Sequence, residues 1–392
     1  MNDHPTIALV MISNFGRADG GRETWAYQFL PRLLARYPDL RLTLFGLRVD
    51  GEADSSGDLR DRLGDATNRV ALHFFRARRN RIPNLLFMVR AMALYVRRGD
   101  GPAPAFTLCV GSVIEYLCAM ASPRLRRSPG IVWLRSIFVD EKVARIPRLL
   151  QPLFRALEIA ILRKASLLIA NGDDTAAYYR ARGLTVEVIK NAVELDRWKM
   201  APPALLLPIK VGFIGRIAVG KGINEFIDLA INLRGEERGE QQFEFHVIGD
   251  GPRLPRMQEA VRDGVLHHHG SVPNEKLRAK LLNMDVCVAL THAGNPKQSS
   301  GSGVSHSLLE QMASRRVLVA WDNAAFRNVL DEESAYLVEQ GSMPRLLEAL
   351  REIAARPHSA KAKAERAFLL VSYYSYEAHM LRFANVVRPF MG

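Results

Sequence analysis

The chain has 392 residues, of which 48% are hydrophobic, and a formal net charge of +13. This length favours two domains with well-filled cores, and the hydrophobic content excludes a disordered chain. The three cysteines, Cys109, Cys118 and Cys287, lie among apolar residues without metal-ligand spacing, so we expect core thiols in a reducing, cytoplasmic environment.

The amino-terminal residues contain no basic stretch ahead of the first apolar run, Thr6–Ile12. No run of about eighteen apolar residues occurs anywhere in the chain. We therefore expect neither a signal peptide nor a membrane-spanning helix.

Strand-like and helical segments alternate along the chain, which predicts α/β domains with parallel sheets covered on both faces. The strands predicted in the first half are Thr6–Ile12, Arg41–Leu47, Val70–Phe75, Phe106–Val110, Gly130–Leu134, Leu167–Asn171 and Val186–Ile189. Those predicted in the second half are Ile209–Ile214, Phe243–Ile248, Leu266–His269, Val286–Leu290, Val317–Ala320 and Ala335–Val338.

The domain boundary is predicted near residue 200. Pro202, Pro203 and Pro208 interrupt both the helical and the strand periodicity there, which gives domains of residues 1–200 and 201–375. The polar, acidic stretch Gly51–Asp65 is predicted to be a mobile surface loop.

A glycine-containing loop, Asn14–Glu23, follows the first predicted strand. Gly20 and Gly21 let its backbone approach either a donor phosphate or an acceptor, although such a loop alone is a weak signal. The spacing G-x-G-x-x-G directly after the strand, which a Rossmann dehydrogenase needs, does not occur here.

The excess of positive charge indicates an acidic partner. Basic clusters border two amphipathic segments of the amino half, Ile82–Val96 and Ile146–Ile161. This pattern favours docking on an anionic membrane surface, although ordinary core helices with solvated arginines show it too. A nucleic-acid partner is disfavoured, because no recognised motif and no aromatic interleaving occurs.

In the second half, Gly215, Arg216 and Lys221 follow the apolar run that begins at Ile209. Arginine offers phosphate oxygens a planar fork and lysine offers a mobile charge, while nearby glycines allow close backbone approach. We therefore predict a diphosphate site here, with Arg216 and Lys221 stabilising the charge on a departing diphosphate.

A second anion-binding feature is predicted where a helix begins near Gly303. The residues that we expect to contact the ligand are a run of five at the helix start and one acidic residue further along the helix: Ser302, Gly303, Val304, Ser305, His306 and Glu310. Glu310 lies about two turns into the helix, too far for a capping role, so a ribose diol is one candidate partner. A solvated helix residue is the other interpretation of Glu310.

No metal or other cofactor is predicted. Two clustered cations can replace a divalent ion at a diphosphate, and no Asp-x-Asp occurs in a suitable loop. Of the run His267–His269, only the first and last residues share a strand face, which disfavours a metal site.

Together these segments resemble the retaining glycosyltransferases of family 4, over nearly the whole chain. Beside the cationic loop and the helix bearing Glu310, the segments similar to the family's motifs are Gly20–Leu30, Val188–Trp198, Phe245–Pro252 and Leu266–Leu290. Their order and separations match the family. Two positions depart from it: Ser302 stands where the family has the first glutamate of Glu-x7-Glu, and Arg135 where it often has a histidine.

The resemblance implies the GT-B fold, with two Rossmann-like domains facing an interdomain cleft. It implies that the carboxyl-terminal helix, about 376–392, returns to the amino-terminal, acceptor-binding domain. It also implies metal-independent transfer of a hexose, with retention, from a UDP- or GDP-sugar to a lipid-linked or polysaccharide acceptor in cell-surface glycan synthesis. We expect this at the cytoplasmic face of the membrane. Alternatives are a nucleotide-binding subunit that lost turnover through Ser302, and a nucleotide-sugar epimerase of the same fold.

Overall fold

The computed structural model describes residues 5–14, 21–50, 56–78, 103–138, 148–198, 200–236, 242–251, 255–272, 274–293 and 304–391. The chain divides into two compact units. Unit 1 comprises Met1–Lys190 and Glu377–Gly392, and unit 2 comprises Asn191–Tyr376. The boundary that the prolines predict near residue 200 therefore lies inside unit 2.

Unit 1 is a seven-stranded parallel sheet covered by helices. Its strands are β1 (Thr6–Asn14), β2 (Arg41–Asp50), β3 (Val70–Arg78), β4 (Phe106–Gly111), β5 (Gly130–Leu134), β6 (Leu167–Ala170) and β7 (Glu187–Val188). Its helices are α1 (Gly21–Arg36), α2 (Ser56–Leu63), α3 (Val113–Met120), α4 (Gln151–Leu162) and α5 (Asp173–Arg180). The strand order is β3-β2-β1-β4-β5-β6-β7.

Unit 2 contains a six-stranded parallel sheet. Its strands are β8 (Ile209–Ile214), β9 (Phe243–Ile248), β10 (His267–His268), β11 (Val286–Ala289), β12 (Val317–Asp322) and β13 (Tyr336–Glu339), in the order β10-β9-β8-β11-β12-β13. Its helices are α6 (Ile223–Glu236), α7 (Pro255–Arg262), α8 (Asn274–Leu282), α9 (His306–Ala313), α10 (Ala324–Arg327), α11 (Met343–Ala355) and α12 (Pro357–Val371).

The apolar pattern of β1 explains why the sheet of unit 1 is covered on both faces. Ile7, Leu9 and Met11 belong to one hydrophobic cluster, whereas Ala8 and Val10 belong to another. Successive side chains of a strand point to opposite faces, so a continuous apolar run fills a core on each side. All thirteen predicted strands are present, with boundaries that differ by a few residues.

The last helix, α13 (Tyr376–Val387), packs into unit 1. Met380, Phe383 and Val387 recur at helical spacing and join the cluster that contains Trp25 and Phe29. The rings of Phe29 and Phe383 meet edge to face, with centroids 5.0 Å apart. The apolar stripe of α13 therefore completes the core on one face of the sheet.

The prediction of a mobile loop over Gly51–Asp65 is wrong for its described part. Residues 56–63 form α2, and Leu59 and Leu63 are buried. Two leucines at i and i+4 form one apolar stripe, and its burial stabilises a helix whose remaining residues are polar. The predicted segment Ile82–Val96 lies outside the described residues.

Candidate functional site

The cationic loop of unit 2 begins directly after β8. Gly215 has φ 143°, and its N–H donates to the carbonyl of Ile248 at 3.0 Å. Arg216 is exposed, while Lys221 is half-buried at the end of the 3-10 turn Val219–Lys221. Both cations follow the carboxyl end of β8, next to the point where the strand order reverses between β8 and β11. Parallel α/β sheets bind ligands at such a point.

A turn that contains Gly249 and Gly251 follows β9 and packs against the backbone of this loop. A Cβ atom on Gly249 would lie 1.8 Å from the carbonyl oxygen of Gly215, and one on Gly251 would lie 2.1 Å from that of Ile217. The N–H of Ile217 donates to the carbonyl of Asp250 at 2.9 Å. The two backbones therefore touch on both sides of Arg216. From the sequence, this turn was noted only for its similarity to a family motif. Its glycines were the signal that could have predicted the close approach of the two backbones.

The start of α9 is the second part of the predicted site. Val304 is buried, Ser305 is exposed and His306 is half-buried. Ser305 makes no side-chain capping bond to the first turn. The N–H groups at the start of a helix favour an anion. Glu310 is half-buried and follows His306 by four residues, which places both side chains on one helix face.

Polar side chains attach α9 to the cationic loop. The hydroxyl of Ser307 donates to the carbonyl of Ile214 at 3.1 Å and accepts from Gln311 Nε2 at 3.0 Å. The side-chain amide of Asn191 donates to the carbonyl of Val304. These bonds place the first turn of α9 beside the end of β8. Sequence reasoning missed Ser307 and Gln311, because a polar pair at i and i+4 on a helix is typical of a solvated face.

The segment after β11 also contacts the loop. Lys221 Nζ lies 3.4 Å from Thr291 Oγ1. Gly222 has φ 83°, and a Cβ there would lie 2.3 Å from Leu290 Cβ. Only glycine fits this position, both for its left-handed backbone and for the space available.

The structure therefore brings together Gly215, Arg216, Lys221 and the start of α9, all in unit 2. Three predicted contacts, Gly20, Ser302 and Gly303, lie outside the described residues. Gly21 is the first residue of α1 and belongs to unit 1.

The corresponding sheet edge of unit 1 is built differently. After β4, the carboxylate of Glu115 is buried and accepts from the N–H and the hydroxyl of Ser112, at 2.8 and 2.9 Å. Arg22 of α1 donates to the same carboxylate at 3.2 Å. This cation is paired within unit 1, whereas Arg216 of unit 2 is exposed.

Arg135, which directly follows β5, lies over aromatic rings. Its guanidinium carbon is 5.2 Å from the ring centre of Trp25 and 5.8 Å from that of Trp133. Such stacking holds a guanidinium beside an apolar core. At the carboxyl ends of β1 and β6, Ser13 and Asn171 are buried, and their Oγ and Oδ1 atoms have no hydrogen-bond partner within the described part of the chain.

A buried histidine joins α13 to this edge. His379 accepts from the indole N–H of Trp25 at 3.2 Å and donates from Nδ1 to the carbonyl of Lys190 at 2.8 Å. Burial lowers the pKa of His379 to about 3. The imidazole is therefore neutral at physiological pH, with one nitrogen donating and the other accepting.

The histidine run at β10 forms a stacked cluster. The ring of His246 stacks with those of His267 and His269, at centroid distances of 5.0 and 5.3 Å. Burial, followed by the neighbouring histidines and lysines, lowers the pKa of His246 to about 4. Over the residues that the structure describes, no group of three or more His, Cys, Asp or Glu side chains is arranged to hold a metal ion.

In its own numbering, unit 2 has the strand order 3-2-1-4-5-6, and unit 1 has the same order with a seventh strand beside the sixth. Two parallel sheets of this kind define the GT-B fold. Solved structures of this fold match nearly the whole chain. The Anabaena protein HepE in complex with UDP and glucose covers 98% of this chain and 100% of its own, with a TM-score of 0.72 and 15% identity. Sucrose-phosphate synthase from Thermosynechococcus elongatus covers 98% of each chain, with a TM-score of 0.74 and 18% identity.

Two sequence comparisons concern shorter stretches. Residues 208–356, within unit 2, match the model of the family described as Glycosyl transferases group 1. A 2-deoxystreptamine glucosyltransferase of Streptomyces kanamyceticus is 28% identical over 191 residues, which cover 43% of this chain and 49% of that protein. The chain therefore matches about half the length of this relative.

Proposed function

We propose that the chain is a glycosyltransferase that binds a nucleotide-diphosphate sugar on unit 2 and transfers its hexose. One observation carries this proposal. The hydroxyl of Ser307 joins the first turn of α9 to the end of β8 at 3.1 Å, so a cationic loop and a helix amino terminus lie side by side. Both features favour the same ligand, a diphosphate.

The chemistry follows from the charges that develop as the sugar–phosphate bond breaks. Negative charge accumulates on the departing diphosphate, where Arg216, Lys221 and the first N–H groups of α9 stabilise it. Glu310, on the face of α9 that also bears His306, is proposed to accept hydrogen bonds from the ribose hydroxyls. Two cations and a helix terminus supply the compensation that a divalent metal provides elsewhere, so the proposed reaction needs no cofactor.

The donor is proposed to be a UDP-hexose. The structural relative HepE is described in complexes with UDP, with UDP-glucose and with UDP and glucose. A GDP-sugar is the alternative donor. The resemblance to family 4 supports retention of configuration at the anomeric carbon without an obligatory enzymatic nucleophile.

Unit 1 is proposed to bind the acceptor. A lipid-linked or polysaccharide acceptor in cell-surface glycan synthesis is supported by another structural relative, the lipopolysaccharide outer core galactosyltransferase WaaB, at 16% identity and a TM-score of 0.66. The net charge of +13 supports binding of the protein to the anionic inner face of a membrane. No helix in the described part of the chain is long and apolar enough to cross a membrane.

A helix of unit 1 supports this peripheral association. Along α4 and the turn before it, apolar side chains face solvent: Leu149, Leu150, Leu153, Phe154 and Leu157. Leu149 is 90% exposed and Leu153 64%. The acidic residue of α4, Glu158, is buried, and its carboxylate accepts a hydrogen bond from the hydroxyl of Tyr179 at 2.7 Å. Arg163 and Lys164, which follow the end of the helix, are exposed. An apolar face with cations and no exposed carboxylate on the helix suits an anionic bilayer.

Vesicle sedimentation tests the membrane proposal. The protein should sediment with vesicles that contain phosphatidylglycerol, and Leu149→Glu with Leu153→Glu should abolish this. Leu369→Glu, at an exposed leucine of α12 in unit 2, is the matched control and should leave binding intact. Equal binding by all variants would argue against α4 as the docking surface.

Turnover of a labelled donor tests the proposed activity. Lys221→Ala and Arg216→Ala should each lower turnover about a hundred- to thousand-fold, as loss of one charge-stabilising contact typically does. The matched controls Lys276→Ala and Arg278→Ala, at exposed cations of α8, should retain wild-type rates. The anomeric configuration of the product, read by NMR, tests retention separately. If the controls lose as much turnover as the loop variants, the assigned roles are wrong.

The second candidate function is a nucleotide-binding subunit without turnover. Ser302 motivates it, because a neutral side chain replaces the first glutamate of the family signature. Ser302→Glu distinguishes the two functions. If turnover rises strongly when glutamate is restored, the serine is a change that impaired catalysis. If turnover falls, the serine is an adaptation of an active enzyme.

A further inference from the structure

The segment Thr291–Ala293, which follows β11, is held from two sides by amide side chains. Asn323 Nδ2 donates to the carbonyl of Thr291 at 3.0 Å. Gln340 accepts from the N–H of Ala293 at 3.0 Å and donates to its carbonyl at 3.1 Å. Asn323 also donates to Gln340, at 2.8 Å. The backbone on both sides of residue 292 is therefore fixed within unit 2.

His292 links this fixed segment to the cationic loop. Its backbone N–H donates to the carbonyl of Gly220 at 3.0 Å, one residue before Lys221. Its Nε2 lies 2.7 Å from Glu225 Oε1, in the first turn of α6, four residues after Lys221. His292 therefore contacts the chain on both sides of Lys221.

The surroundings of His292 restrict its ring. The residue is 7% exposed, and the edge of its ring faces Trp321 at a centroid distance of 6.1 Å. An ionised carboxylate only accepts hydrogen bonds, so Nε2 carries the proton in the bond to Glu225. A short bond to a charged acceptor in a half-buried setting is stronger than one between neutral groups.

We propose that His292 is a positioning residue for Lys221. By bonding the carbonyl of Gly220 and the carboxylate of Glu225, it sets the turn Val219–Lys221 against the end of β11 and presents the lysine toward the ligand. The contact of 3.4 Å between Lys221 Nζ and Thr291 Oγ1 lies on the same segment. The inference rests on the proposed function, in which Lys221 binds the diphosphate of the donor.

A double-mutant cycle tests it, with UDP and UMP as probes in isothermal titration calorimetry. His292→Ala should weaken UDP binding about ten-fold, as expected for loss of a charge-assisted bond that orders a binding residue. UMP binding should change much less, because the lysine is assigned to the second phosphate. Combined with Lys221→Ala, the histidine change should weaken UDP binding no further than the lysine change alone.

Two further variants distinguish a specific loss of binding from a general loss of folding. Glu225→Gln retains an acceptor without the charge and should weaken UDP binding less than His292→Ala does, in the same selective manner. His358→Ala, at an exposed histidine of α12, is the matched control and should bind like wild type.

The outcomes separate the two proposals. If wild type binds UDP and Lys221→Ala weakens it, the proposed function stands. Under that result, wild-type UDP affinity in both His292→Ala and Glu225→Gln, or losses that add fully to that of Lys221→Ala, would overturn the positioning role. If wild type binds no nucleotide diphosphate, the proposed function fails first and the inference fails with it.

Discussion

The two units share a strand order but differ in what lies at the carboxyl ends of their strands. In unit 2, glycines bring the turns after β8 and β9 into backbone contact and leave Arg216 exposed. In unit 1, Arg22 is bonded to the buried Glu115, and Arg135 lies over two tryptophans. The same topology therefore leaves an arginine exposed at the edge of one unit and places two arginines against protein groups at the edge of the other.

Because of this difference, different kinds of substitution should destabilise the two edges. At the edge of unit 2, backbone geometry is the sensitive feature, since the loop depends on glycines that no other residue can replace. At the edge of unit 1, the sensitive features are buried polar groups that must keep their partners.

The largest stability effect is expected for Gly249→Ala in unit 2. The added Cβ would lie 1.8 Å from the carbonyl oxygen of Gly215, and the residue has φ 149°. We expect a loss on the order of 2–3 kcal/mol in the free energy of unfolding, together with loss of nucleotide binding, because the loop must move. Denaturant unfolding measures the first effect and calorimetry the second.

Gly235→Ala is the control for that change. Gly235 lies in α6 with open space where a Cβ would be placed, and alanine has a higher helix propensity than glycine. We expect unchanged or slightly increased stability and unchanged nucleotide binding. Equal losses in the two variants would show that the close contact at Gly249 is not what matters.

A similar stability loss without a binding loss is expected for Glu115→Ala in unit 1. The change removes a buried carboxylate and leaves Ser112 and Arg22 without it, at a cost of about 2 kcal/mol. Donor affinity of the folded protein should not change, since the site is assigned to unit 2. A variant that folds normally but loses donor affinity would contradict the division of roles.

A smaller effect, counted per histidine and per pH unit, is expected from acid, and both units should contribute to it. Burial holds the pKa of His379 at about 3 and that of His246 at about 4, below the ordinary value of 6.5. Below pH 6.5 the unfolded chain binds protons that the folded chain does not, so stability falls as the pH falls toward these values. The buried His379 should contribute about 1.4 kcal/mol per pH unit in that window, and His246, whose pKa also depends on the neighbouring His267 and His269, should contribute less.

Thermal unfolding at pH values from 8 to 5 measures this effect. His379→Gln should lower stability at pH 8 and reduce its dependence on pH, because glutamine cannot take up the proton. A pH dependence equal to that of wild type would show that other groups control acid stability.

The strands and the cationic loop were predictable because they leave local signals. The runs that indicated strands are four to seven residues long, and Gly215, Arg216 and Lys221 lie within a stretch of seven residues. The bonds that assemble the site leave no such signal. Ser307 and Ile214 are 93 positions apart, and His292 and Glu225 are 67 apart. Only the sheet topology brings them together.

Composition misled the prediction at α2. The stretch around it is acidic and rich in small residues, and two buried leucines at helical spacing were the contrary signal. A short helix depends on burial of its apolar stripe more than on propensity, so its sequence resembles that of a loop.

The most direct test of the account is a thermal-shift screen with UDP-, GDP-, ADP- and dTDP-sugars. Wild type, Arg216→Ala, Lys221→Ala and the control Lys276→Ala would be compared at equal concentrations. Stabilisation of wild type and Lys276→Ala by one class of donor, lost in both loop variants, is the predicted result, since a ligand that binds only the folded state raises its melting temperature. If no donor stabilises wild type, or if the loop variants respond as wild type does, the diphosphate site assigned to unit 2 is contradicted.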